Sequence, residues 1–242
     1  MDRTMEGVSQ SPELTPRKFK FTRQEGRSRR TRLLTATREL LRETPPDEIN
    51  FAMVCERADI PRASAYHFFP NLGALFLGLR IFHMETMAAA VAKIDVESLP
   101  TWQNYIAAVT EVAASVTRED PALMRLVYGV PGGIQETRQV GKTFDSIIAR
   151  ATLEAVERHY QAPTWPDRDR GSAITLTIID AIFRLSFRET GDIAKPMIRE
   201  AADAAIAYLL PYMPARPGKR KAPRKSGGAR PKNKKAAPKS AQ

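Results

Sequence analysis

NFAMVCERADIPRASAYHFFPNLGAL, running from Asn50 to Leu75, is the stretch that decides the fold. Asn50 can cap a short helix that continues to about Ala58, because its side-chain oxygen can satisfy free backbone N–H groups of the first turn. Asp59 suits a tight turn, since Asp tolerates left-handed backbone. Pro61 can open a second helix reaching about Phe69, and Pro70 with Asn71 breaks the chain again before a longer helix begins. Two short helices joined at Asp59-Ile60 form a helix-turn-helix layout, whose second member can enter a major groove of DNA. Taken bare, the layout is a weak signal, and the surrounding chain has to carry more of the reading.

Working outward, apolar residues recur at helical spacing and no segment of strand length alternates, so the expected class is all-α with about nine helices. Upstream, Thr22-x-x-Glu25 has the form of a capping box for a first helix with Leu33, Leu34, Thr37, Leu40 and Leu41 on one face, which Pro45 and Pro46 stop. Downstream, a fourth helix should run to about Ile94. Further helices are expected at about Thr101 to Thr117, Asp120 to Gly129, Ile134 to Tyr160, Asp169 to Glu189 and Ala194 to Tyr212. The expected organisation is an N-terminal arm over 1–21, a helix-turn-helix domain over 22–70, a larger helical domain over 71–213 and a basic tail over 214–242. That tail holds eleven Lys and Arg, no acid, and no aromatic or large aliphatic residue, which predicts disorder. It carries the whole of the chain's formal charge of +11.

The single cysteine, Cys55, excludes an internal disulfide framework and a cysteine-based metal cluster, and its setting among Phe51, Val54 and Ala58 predicts a small buried hydrophobe. No signal peptide is expected, and no uninterrupted apolar run reaches the length of a membrane span. These features fit a cytoplasmic, nucleoid-associated protein with no membrane partner. His67, His83 and His159 are scattered, and no nucleotide-binding or metalloprotease motif appears, so neither an enzyme nor a cofactor or metal site is expected.

Together, LLTATRELL from Leu33 and the Asn50–Leu75 segment resemble the DNA-binding domain of TetR-family transcriptional regulators. The likeness covers about Thr22 to Leu79; beyond it, only helix count and length agree. Two positions depart from the family pattern: Asp59 stands at a turn position usually held by glycine, and Leu72 where a Lys usually follows the Pro-Asn pair. The resemblance implies a three-helix DNA-binding unit, a larger ligand-binding domain and dimerisation through the last two helices. It further implies a homodimeric repressor that binds a palindromic operator in double-stranded DNA and answers to an unknown small-molecule effector.

On that reading the expected DNA contacts are Arg62, able to donate twice to a guanine edge, Ser64 to a base or phosphate, and Tyr66 and His67 to the backbone. Asn50 adds a phosphate contact, and Arg27, Arg29 and Arg30 at the start of the first helix add affinity without specificity. Expected pocket residues are His83, Met87, Tyr105, Met124, Tyr128, Phe144, Ile148, His159 and Phe183, being aromatic, sulfur-bearing or titratable on inward faces. The eighth helix is apolar on two faces, so it should have two partners. Ile178, Ile182 and Leu185, with Met197, Ala201, Ala205 and Tyr208 of the ninth, are expected at the dimer interface, and Asp180 and Arg184 are spaced to pair. Phe68 and Phe69 should pack in the core. Two alternatives stay open: a ligand-independent DNA-coating protein dominated by its basic tail, and, more distantly, an enzyme on a helical scaffold.

Overall fold

The computed structural model describes residues 24–129, 149–160 and 165–213, and within them every regular element is helical. α1 is Gln24–Glu43, α2 Phe51–Arg57, α3 Arg62–Ala65, α4 Leu72–Val91, α5 Trp102–Arg118 and α6 Pro121–Tyr128. α7 is the helical stretch at 149–159, α8 is Arg168–Thr190 and α9 is Lys195–Leu209. The all-α expectation agrees with this, while the arm, the Thr22 cap, the first part of the expected seventh helix and the basic tail lie outside the described residues.

Side-chain caps set most of the helix starts. Asn50, Asn71, Thr101, Asp120 and Asp167 each accept a hydrogen bond from a backbone N–H two or three residues on, opening α2, α4, α5, α6 and α8. Asp59 has the expected left-handed backbone, with φ 50°. The second helix of the pair differs from expectation: α3 proper ends at Ala65, and the chain continues to Phe69 in tighter turns such as His67 N–H to Ser64 O and Phe68 N–H to Ala65 O. Pro70 gives the reason, since its ring disfavours helical backbone in the residue before it. α4 stops at Val91, short of Ile94, and a 3-10 turn at Val96–Ser98 follows. Likewise, α9 ends at Leu209, short of Tyr212.

One core joins α1, α2, α3, the first half of α4 and the inner face of α6: Leu33, Leu34, Phe69, Leu75, Ile81, Leu123 and Leu126 belong to it. It therefore does not stop at residue 70. Further apolar clusters lie among α5, α7, α8 and α9. α4 is long and apolar enough to cross a membrane by length and composition. Here it is a core helix, packed on α1, α5 and α6.

The α8–α9 connection turns at Gly191, whose φ of 75° is one that side-chain-bearing residues rarely adopt. Ser186 locks it, its hydroxyl donating to Asp192 O and accepting from Ala194 N–H, both at 2.8 Å. At the other end of α8, Gly171 lies under the Trp165 ring, where an added Cβ would meet Cε3 at 1.8 Å. Gly171→Val should expel the indole and cost roughly 1–3 kcal/mol, as overpacking does. Urea unfolding with tryptophan fluorescence checks it; an unchanged midpoint would mean the ring moves aside at no cost.

A solvent-facing short helix and a cavity

Phe68 and Phe69 are buried as expected, and Ala65 is buried with them, which fixes which side of the α3 segment faces outward. Arg62, Tyr66 and His67 are exposed, and Ser64 is half-buried beside them. Tyr66 stays 54% exposed yet is held in place, its ring stacked on Phe51 at 4.7 Å between centroids. An amphipathic ring fixed on one face and open on the other suits a contact with sugar and phosphate. Asn50 spends its side-chain oxygen on Ala52 and Met53 N–H, which leaves its amide hydrogens outward. Cys55 is buried, and burial pushes its thiol up.

Arg27 and Arg29 are exposed at the start of α1, Arg29 pairing with Glu25. Arg30 is not available to DNA. It is 2% exposed, with its guanidinium 4.7 Å from the Phe69 ring centroid, and burial pulls its pKa down to about 10. Its place on the inward face of α1 corrects the expectation that it is a phosphate contact; there it braces Phe69, at the end of the α3 segment, from behind. Arg32 also has a structural task, donating to Ala58 O at 2.5 Å and Asp59 O at 3.0 Å, so that α1 clamps the turn between α2 and α3.

A cavity of about 300 Å³ is bounded by α4, α5, α6 and α8. Of the expected pocket residues, His83, Met87, Tyr128 and Phe183 line it. Met124 is instead packed in the core beside Phe183, and Tyr105 and His159 lie on a separate groove between the end of α4 and α7. Periodicity places all three on inward faces without saying what they face. Phe144 and Ile148 fall outside the described residues. Sequence reasoning missed Arg80, Thr117 and Asp180, which also line the cavity. A lone basic residue in a mostly apolar helix, three residues before His83, was the available signal for Arg80.

Electrostatics in the cavity are set by burial. His83 is 3% exposed, and desolvation, with Arg80 nearby, lowers its pKa to about 3, so the ring is neutral. Burial, then Asp180, raises the Tyr128 phenol well above its ordinary value, so it too is uncharged. Asp180 pairs with Arg184 at 3.1 Å, as the spacing predicts, and Arg184 lies over the Tyr128 ring at 5.3 Å.

α6 belongs to both regions. Its start is tied to α1 by Arg38 Nε on the Asp120 carboxylate at 2.5 Å, and Arg125 Nη1 caps the end of α1 through Leu41 O and Arg42 O at 3.0 Å each. Its last two residues, Val127 and Tyr128, are cavity wall.

On the expected dimer seam, Ile178, Ile182 and Leu185 are half-buried and Ile174 is 37% exposed, leaving an apolar stripe open along α8. Met197 and Tyr208 are half-buried on α9. Ala201 and Ala205, at 0% exposure, are inside the protein's own core, where their small size lets α9 approach its neighbours closely; they are not on the seam.

The described residues thus form a helix-turn-helix with a clamped turn, joined through α4 and α6 to a cavity-bearing helical bundle. Residues 101–209 match the family described as tetracyclin repressor-like, C-terminal domain. Among solved structures, a TetR-family transcriptional regulator from Streptomyces coelicolor is similar at a TM-score of 0.59 and 24% identity, over 76% of this chain and 99% of that one. RolR, solved with its ligand resorcinol, gives 0.56 and 18% over 77% and 89%, and a TetR transcriptional regulator from Rhodococcus sp. RHA1 gives 0.57 and 17% over 76% and 96%. No curated protein matches the chain. That family model covers a little under half of the chain, and the solved structures, all below 25% identity, show that the fold is one this chain shares with TetR-family regulators.

Proposed function

We propose that this protein is a TetR-family transcriptional regulator, a homodimeric, ligand-responsive repressor that binds a palindromic operator through the outward side of α3. The carrying observation is the double duty of α6, which is bonded to α1 at one end and forms cavity wall at the other. A small molecule can act on DNA affinity only through a difference in its binding to two states of the protein. An element shared by cavity and DNA-binding unit supplies a means for that difference. Arg62, Ser64, Tyr66 and His67 make the contacts, Asn50, Arg27 and Arg29 add phosphate attraction, and no catalytic role is assigned. The protein acts in the cytoplasm, and the basic residues beyond 214 add sequence-independent affinity.

Dimerisation uses the open stripe of α8, Ile174, Ile178, Ile182 and Leu185, with Met197 and Tyr208 of α9, since an exposed apolar stripe of this length is a mark of an interface. Footprinting on DNA flanking the gene tests the whole reading. Protection should cover a pseudo-palindrome with half-sites about one helical turn, or a multiple, apart. Ile178→Glu, which places a charge on the seam, should sediment as a monomer and lose that footprint. A persistent dimer would move the interface elsewhere, and an asymmetric footprint would remove the two-fold model.

A further inference from the structure

Hydrogen-bond accounting in the cavity points to the chemistry of its ligand. Thr117 Oγ1 gives its hydrogen to Ala113 O at 2.9 Å, so on its 3.4 Å contact with His83 Nε2 it accepts. The ring proton is therefore on Nε2, and Nδ1 is an acceptor. Nδ1 has no hydrogen-bond partner among the described residues, on a side chain 3% exposed. Because burial holds His83 neutral, the ring has no second proton to offer. Thr110 and Thr177 spend their hydrogens in the same way, on Ile106 O and Ala173 O at 2.8 Å. These groups accept hydrogen bonds and have none left to give.

Arg80 supplies the opposite character on the same face of α4, three residues from His83. Its buried Nε has no hydrogen-bond partner, and it makes no ion pair, among the described residues. Asp180, the acid of the cavity wall, is already engaged by Arg184. One cation is thus left without a counter-charge, beside an acceptor without a donor and a wall that is mostly hydrocarbon. Buried groups of this kind are normally satisfied.

We propose that the cavity takes a small hydroxylated carboxylate, with the carboxylate on Arg80, the hydroxyl donating to His83 Nδ1, and the hydrocarbon body against Met84, Met87 and Phe183. A single arginine matches a monoanion, and a volume of about 300 Å³ admits one ring with short substituents. The inference rests on the effector-site reading above, but its test involves no DNA.

Calorimetry on the full-length protein with 3-hydroxybenzoate, benzoate, 3-hydroxybenzamide and resorcinol separates the contributions. The hydroxy acid should bind at least about tenfold more tightly than the acid without a hydroxyl or the amide without a charge, as expected for a hydrogen bond to a buried or charged group. Arg80→Gln should bring 3-hydroxybenzoate down to the level of the amide. His83→Leu should erase the preference over benzoate while leaving benzoate binding in place. Should either variant fail to fold, the wild-type ranking alone decides. Amide or resorcinol binding as tightly as the hydroxy acid, or no binding by any of the four, overturns the proposal. Resorcinol in preference would overturn the acid and leave the effector reading standing, whereas loss of the regulator reading would show in footprinting whatever the cavity binds.

Discussion

Replacing Asp120 by alanine is expected to lower the unfolding free energy by about 3 kcal/mol and to weaken the link between cavity and DNA-binding unit. Asp120 is 5% exposed and does two things at once: its carboxylate holds Arg38 of α1, and its other oxygen caps α6 by accepting from Ala122 N–H at 3.1 Å. Breaking a buried pair by deleting one partner costs roughly 3–5 kcal/mol because the other charge is stranded. Here the Arg38 side chain keeps 21% of its exposure, which lowers that figure, and the lost cap adds about 1 kcal/mol. Asp120→Asn keeps an acceptor for Ala122 and should recover part of the loss. Removing both charges with Arg38→Met and Asp120→Ala should cost less than Asp120→Ala alone, since no charge is left stranded. Urea melts of the set measure this. A double variant that loses the sum of the single losses would show that the two residues do not act as a pair.

The second large effect is expected at the DNA face. Arg62→Ala and Tyr66→Ala together should weaken operator binding by at least about a hundredfold, since each good contact is worth roughly 1–3 kcal/mol and a dimer loses it twice. Helicity and dimerisation should not change, because Arg62 is exposed and the Tyr66 ring rests on the outer side of Phe51. The two losses should differ in kind. Arg62→Ala should narrow the gap between operator and random DNA, whereas Tyr66→Ala should weaken both alike, as loss of a backbone contact does. Binding titrations on the two DNAs check it, and undiminished operator affinity in the double variant would remove α3 as the reader.

Arg30 and Arg32 show where a charge pattern in the sequence stops being informative. Both belong to a basic run beside a helix-turn-helix, and a run of that kind suggests phosphate contact. One is folded under Phe69 and the other is bonded to the turn carbonyls of Ala58 and Asp59. Their direction depends on where the α2–α3 segment packs against α1: Arg32 meets Ala58 across 26 residues, and Arg30 meets Phe69 further still along the chain. The cavity follows the same logic. His83, Met87, Tyr128 and Phe183 sit on inward faces by periodicity, as do Met124 and Tyr105, but only the packing of α4, α5, α6 and α8 decides which inward faces meet a space.

By itself the sequence determined what local chemistry controls: the all-helical class, the cap at Asn50, the break at Pro70-Asn71, the left-handed turn at Asp59, the core placement of Phe68, Phe69 and Cys55, and the Asp180–Arg184 pair. Each depends on residues within about one helical turn of one another, so the spacing carries the information. Tertiary structure alone decided that Arg38 meets Asp120 across 82 residues, that Arg80 and Thr117 join His83, and that Ala201 and Ala205 face inward while Ile174 and Ile178 stay open. The physical reason is that hydrophobic periodicity records that a face is buried. It does not record against what, and both the cavity and the linkage through α6 are made of those long-range pairings.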